Sequence, residues 1–179
     1  MTNKMTRREA RVAAFQLIYE RGVQKDKSTS RIIRDTSEAQ EFIPNRYIKA
    51  VLRGTEEKLD ELDALINETS LEWRIERMSA VSLAILRLAV YEMLYCAEEV
   101  PFKVAINEAV ELAKKFDDDG APAFINGILN KIAALKGLKG DGSASESVKA
   151  ETVKYVEADA ENSDESATKQ ADEAQSDEN

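Results

Sequence analysis

Histidine is absent from this sequence. That removes Ser-His-Asp and Cys-His nucleophilic catalysis, and it removes the commonest side-chain metal ligand. Cysteine occurs once, at Cys96, so no internal disulfide is possible. With no secretory signal at the start, the lone thiol points to a reducing cytoplasm. Only three prolines and seven glycines punctuate 179 residues, which suits long helices joined by few turns. Hydrophobic runs are also scarce, with one exception. Residues 80–97 read AVSLAILRLAVYEMLYCA and are apolar on every face. Val81, Ala84, Ile85, Leu88 and Ala89 follow one helical stripe, and Leu83, Leu86, Val90, Met93 and Leu94 fill the other side. Such a helix must be covered by neighbours. Arg87 and Glu92 sit inside it, and two charges at the centre of a bilayer would cost several kcal/mol. The stretch therefore reads as the core helix of a soluble bundle, with no membrane contact.

The net charge of −9 is unevenly placed. Residues 140–179 hold 12 acidic and 3 basic residues, while residues 1–139 balance at 22 of each. Within that neutral body, residues 1–34 hold 9 basic and 3 acidic residues. A basic front favours an anionic partner. The tail, residues 138–179, lacks the apolar residues needed to offset chain entropy and is expected to be disordered.

The spacing predicts a helix from Arg7 to about Gly22, after a loose leader over residues 1–6. Ala10, Ala13, Ala14, Leu17 and Ile18 form its apolar face. Arg7, Arg8 and Arg11 crowd its first turns, where the helix dipole disfavours cations by about 0.3–1 kcal/mol each. A local rule broken without structural gain tends to mark function; the alternative is a solvated basic face. Residues 28–41 form a polar second helix. Pro44 breaks the chain, and residues 45–66 read as one third helix with Gly54 as its weak point. Glu56, Glu57, Lys58, Asp60 and Glu61 form a solvated face, not a pair of catalytic carboxylates. Residues 71–77 make a short turn carrying Trp73, and Ser79 is placed to cap the central helix. Further helices follow over residues 104–116, with Val104 on the apolar side, and 124–135. Gly127 inside the last one suggests a close helix crossing. Asp117, Asp118 and Asp119 lack the alternating ligands and distal glutamate of a calcium loop and read as a solvated connector.

Several segments in this order resemble the NusB family: RREAR…QLIY, AILRLAVYEM, VPFKVAINEAVELAKKF and FINGILNKI. The similarity covers roughly residues 5–136. It implies an all-α domain of about seven helices over residues 1–137, bundled as three plus four, with halves near 7–67 and 71–136. It implies a non-enzymatic transcription antitermination factor without cofactor. Its partners would be the boxA element of ribosomal RNA transcripts, the ribosomal protein NusE and the RNA polymerase antitermination complex. A homodimer is a further possibility in the family. The RNA contacts that carry over are Arg7, Arg8 and Arg11, then Gln16 and Tyr19, then Phe124 as a stacking ring, with Lys114 and Lys115 facing the same loop. Phe124 also reads as an ordinary core ring, and the two lysines as dipole complements.

The sequence departs from the family at two places. Ser82 and Leu83 replace an acid–base pair entering the central helix, leaving Leu83 available for a protein contact. Three aspartates crowd the loop before Phe124, where they would repel phosphate. Two other classes fit less of the chain. An RNA-modifying methyltransferase would need a glycine-rich nucleotide-binding domain, and none follows residue 137. A helical protein-interaction module would leave the arginines merely solvated.

The opposite charges of residues 1–34 and 140–179 suggest that the tail competes with RNA for the first helix. Deleting residues 140–179 should tighten RNA binding at low salt, read by gel shift. Unchanged affinity would end that idea.

Overall fold

A computed structural model describes residues 5–39, 43–70 and 75–138. Seven α-helices and no strands make up these residues: α1 (Arg7–Val23), α2 (Thr29–Ala39), α3 (Arg46–Glu57), α4 (Leu59–Thr69), α5 (Ala80–Tyr95), α6 (Phe102–Phe116) and α7 (Ala121–Leu135), with a 3-10 turn at Ile75–Arg77. Trp73 and the expected tail beyond Leu138 lie outside the described residues, as does the predicted end of the second helix, while Leu138 itself, expected in the tail, packs against the core.

The helix starts follow local chemistry. Thr6 is no loose leader. Its side chain accepts from the Glu9 backbone N–H, and Glu9 accepts from the Thr6 backbone N–H, which closes a capping box for α1. Asn45 caps α3 through the Ile48 N–H at 3.0 Å. Ser79 caps α5 through the Ser82 N–H at 2.9 Å. Asp118 Oδ1 accepts from the N–H groups of Gly120 and Ala121, so α7 begins three residues before the predicted start. Pro122 falls in its first turn, where a missing N–H costs nothing.

The predicted helix over 45–66 is two helices, α3 and α4, which meet at Lys58. Gly54 is not the break. It lies in mid-helix against the buried ring of Tyr91, where a side-chain Cβ would overlap the phenol. The close crossing expected at Gly127 is therefore at Gly54, and Gly127 faces open space. α4 packs against α5 and α7 as well as α3.

α5 is the axis of the bundle. It packs against α1, α3, α4, α6 and α7. Ile85, Leu86, Leu88, Val90 and Met93 are fully enclosed, and one apolar core runs from Ala10 on α1 to Ala133 on α7. The alanines of α1 (Ala10, Ala13, Ala14) permit close approach to this axis. Val104 departs from the predicted apolar side, being 42% exposed near the start of α6. Leu83 is half-buried against the core and so less available to a partner than expected. Arg87, the first charge inside α5, makes a two-pronged pair with Asp63 of α4 at 2.7 Å for both bonds. No helix among the described residues is long and apolar enough to cross a membrane.

The two glycines should respond oppositely to alanine. Gly54→Ala forces Tyr91 to move and should destabilise the protein by about 1–3 kcal/mol, the usual cost of overpacking. Gly127→Ala should stabilise it by up to ~1 kcal/mol, the ordinary helix-propensity gain. Thermal or urea unfolding checks both signs.

Candidate RNA-binding face

The three arginines in the first turns of α1, Arg7, Arg8 and Arg11, enter a single chain of contacts, yet they do different work. Arg11 is 4% exposed. Its Nε and Nη2 donate to the Glu92 carboxylate at 2.9–3.1 Å, and its Nη1 lies 3.2 Å from Glu108. Glu92 is 1% exposed and also accepts from the Tyr47 hydroxyl at 2.7 Å. Burial disfavours the Arg11 charge, and the bonds and attraction of Glu92 more than restore it. Burial and the Glu92 carboxylate push the Tyr47 phenol far above its ordinary range, so it stays a donor. The Cys96 thiol is pushed up to about 12, first by burial and then by Glu92 and Glu99, so it is an inert thiol at neutral pH. Arg11 thus has the structural gain that its position in the sequence did not suggest. It locks α1 onto α5.

Arg7 and Arg8 stay exposed. Arg7 pairs with Glu99 at 2.7 Å and lies over the Tyr47 ring, 4.5 Å from its centroid. Arg8 turns the other way, 3.7 Å from both Glu108 and Glu111 of α6. It lines a cleft of about 550 Å³ between the start of α1 and α6. The cleft brings together Arg8, Arg11, Lys114 and Lys115 from the predicted set. Lys114 bonds Glu111 at 2.6 Å, and Lys115 lies 5.0 Å from the centroid of the Phe116 ring. That ring sits 5.1 Å from Phe15 and holds the end of α6 against α1.

Arg7, Gln16, Tyr19 and Phe124 do not line the cleft. Gln16 is half-buried, and Tyr19 is 38% exposed. Tyr19 follows Arg8 by eleven residues, a spacing that returns to within about 20° of the same face some 16 Å along the helix. It therefore extends the Arg8 stripe beyond the cleft. Phe124 is half-buried in the first turn of α7 and packs on the core, so its ring serves the fold while part of it faces outward.

Two aspartates of the loop have tasks in the fold. Asp117 accepts from the hydroxyls of Ser79, at 3.0 Å, and Ser82. An anion there complements the N-terminus of α5, and the Ser82 that departs from the family pattern is its partner. Asp118 is occupied in starting α7. The sequence pattern gave no signal of the partners of Glu92, Glu108, Glu111 and Asp117, each of which faces a residue far along the chain.

The model of the NusB family matches residues 8–134. The transcription antitermination protein NusB of Acetivibrio thermocellus is 43% identical over 141 residues, covering 78% of this chain and 96% of that protein. Its counterpart in Ruminiclostridium cellulolyticum is 39% identical over 132 residues, covering 72% and 89%. Among solved structures, T. maritima NusB superposes with a TM-score of 0.66 at 31% identity, over 73% of this chain and 92% of that one. The antitermination factors NusB and NusE in complex with double-stranded RNA share the fold, with a TM-score of 0.65 at 23% identity, over 72% and 96%. On the length and identity of these matches, this chain belongs to the NusB family.

Proposed function

We propose that this chain is an RNA-binding antitermination factor that recognises the boxA element of ribosomal RNA transcripts jointly with NusE, within the RNA polymerase antitermination complex. The observation that carries the reading is the cleft in which Arg8 of α1 meets Lys114 and Lys115 of α6. Cations from two helices, held by one buried anchor, present a fixed track for a phosphate backbone. Arg8 and the lysines bind phosphate and orient the strand, with Arg7 at its flank. Tyr19 and the outward part of Phe124 offer rings on which unstacked bases can pile. Gln16, three residues before Tyr19 on α1, offers an amide to a base edge. The chain acts by binding, without bond-making. NusE docking on the same protein raises RNA affinity through linkage.

Gel-shift titration with boxA RNA, with and without NusE, tests this. A saturable complex that tightens in the presence of NusE is the expected result. Equal, weak retention of boxA and scrambled RNA in both conditions would favour a protein-interaction module instead.

The arginines should separate in two assays. Neutralising Arg7 and Arg8 together should weaken cognate and scrambled RNA alike and flatten the salt dependence by roughly 0.7 per lost phosphate contact, with unfolding unchanged. Arg11→Met should instead lower stability by about 3–5 kcal/mol, because Glu92 is left buried without its partner. Unchanged RNA binding in the first variant, or unchanged urea unfolding in the second, would contradict this division.

A further inference from the structure

The cleft holds a carboxylate where the RNA reading needs a phosphate. Its cations are Arg8, Arg11, Lys114 and Lys115, and its anions are Glu9, Glu108 and Glu111. Two of the anions have structural tasks. Glu9 closes the capping box with Thr6, which holds its carboxyl below the usual range. Glu108 lies 3.2 Å from the buried guanidinium of Arg11. Glu111 has no such task, being half exposed on α6. One of its oxygens lies 2.6 Å from Lys114 Nζ, and the other lies 3.7 Å from Arg8 Nη2. Each oxygen thus faces a different cation from a different helix.

We propose that Arg8 and Lys114 form one phosphate subsite, and that Glu111 is its resident surrogate, displaced when an RNA phosphodiester enters. This deepens the RNA-binding reading and rests on it. The chemistry is exchange of anions on fixed cations. A phosphodiester has two unesterified oxygens that can span an arginine and a lysine as the carboxylate does. The bond to Lys114, with its attraction, and the charge of Arg8 hold the Glu111 carboxyl below its ordinary range, so it remains an anion in neutral solution. A weakly held polyanion must displace it at a cost, whereas a strand anchored elsewhere on the face does so readily. Glu111 therefore acts against non-specific RNA, a built-in repulsive element of specificity.

Glu111→Gln removes the charge and keeps the shape. Glu38→Gln, exposed on α2, makes the same change in net charge away from the cleft. Two titrations of the full chain separate the possibilities. In the first, inorganic phosphate is added and backbone amide shifts near Arg8 and Lys114 are followed by NMR. Glu111→Gln should show saturable shifts at several-fold lower phosphate than wild type or Glu38→Gln. A response no stronger than either overturns the subsite. In the second, single-stranded boxA RNA and a scrambled strand are titrated at several salt concentrations. Glu111→Gln should bind both more tightly, by about three- to tenfold at low salt, with the larger gain for the scrambled strand and convergence as salt screens the charge. Equal tightening by Glu38→Gln would show a net-charge effect and overturn the local gate. If phosphate binds as expected and no variant binds RNA, the subsite stands and the RNA reading falls.

Discussion

One buried ion pair determines what the rest of the face can do. Arg11 and Glu92 are both removed from water, and the pair is completed by Tyr47 on one side and Glu108 on the other. Desolvating two charges is expensive, and only close geometry with additional hydrogen bonds compensates. A contact of this kind specifies one arrangement of α1 on α5 more sharply than apolar packing alone, since any slip leaves a charge unpaired. The alanine face of α1 allows the approach, and the Arg11 pair fixes its register. Arg8, one turn earlier, is thereby aimed at α6, and Tyr19 is carried on the same face.

The placement of charge follows from that anchor. Cations at a helix start oppose the dipole, and three of them in succession look costly. The capping box places Glu9 in the same turn, and Glu99, Glu92, Glu108 and Glu111 surround the guanidinium groups. Arg7, Arg8 and Arg11 are thus each paired with carboxylates within the fold. On the proposed reading, affinity depends on exchange: phosphates replace carboxylates on exposed cations, and the buried pair stays closed. The same logic accounts for the aspartate loop, where Asp117 serves the start of α5 and Asp118 the start of α7.

Much of this was legible in the sequence, for reasons that are local. α5 declared itself by being apolar on all sides, and Ser79 marked its start. α1 declared itself by its alanine and leucine stripe. The family motifs then supplied the all-helical bundle and the family to which the chain belongs. What was not legible depends on distant partners. Arg11 differs from Arg8 only through Glu92, 81 residues away. Helical spacing gives the angle at which a side chain leaves its helix and says nothing of what it meets. Gly54 and Gly127 show the same limit. Each is a glycine inside a helical pattern, and only the Tyr91 ring makes one of them essential to packing. The turn at Lys58 was hidden because both flanking segments keep a helical rhythm across it.

The central claim is that a strand of RNA lies along the Arg8–Tyr19 stripe and the ends of α6 and α7. Ultraviolet cross-linking of the full chain to boxA RNA, with peptide mapping of the adducts, tests it most directly. The account predicts adducts at Tyr19, Phe124 and the Lys114–Lys115 segment; adducts confined to α2, α3 and α4 would contradict it.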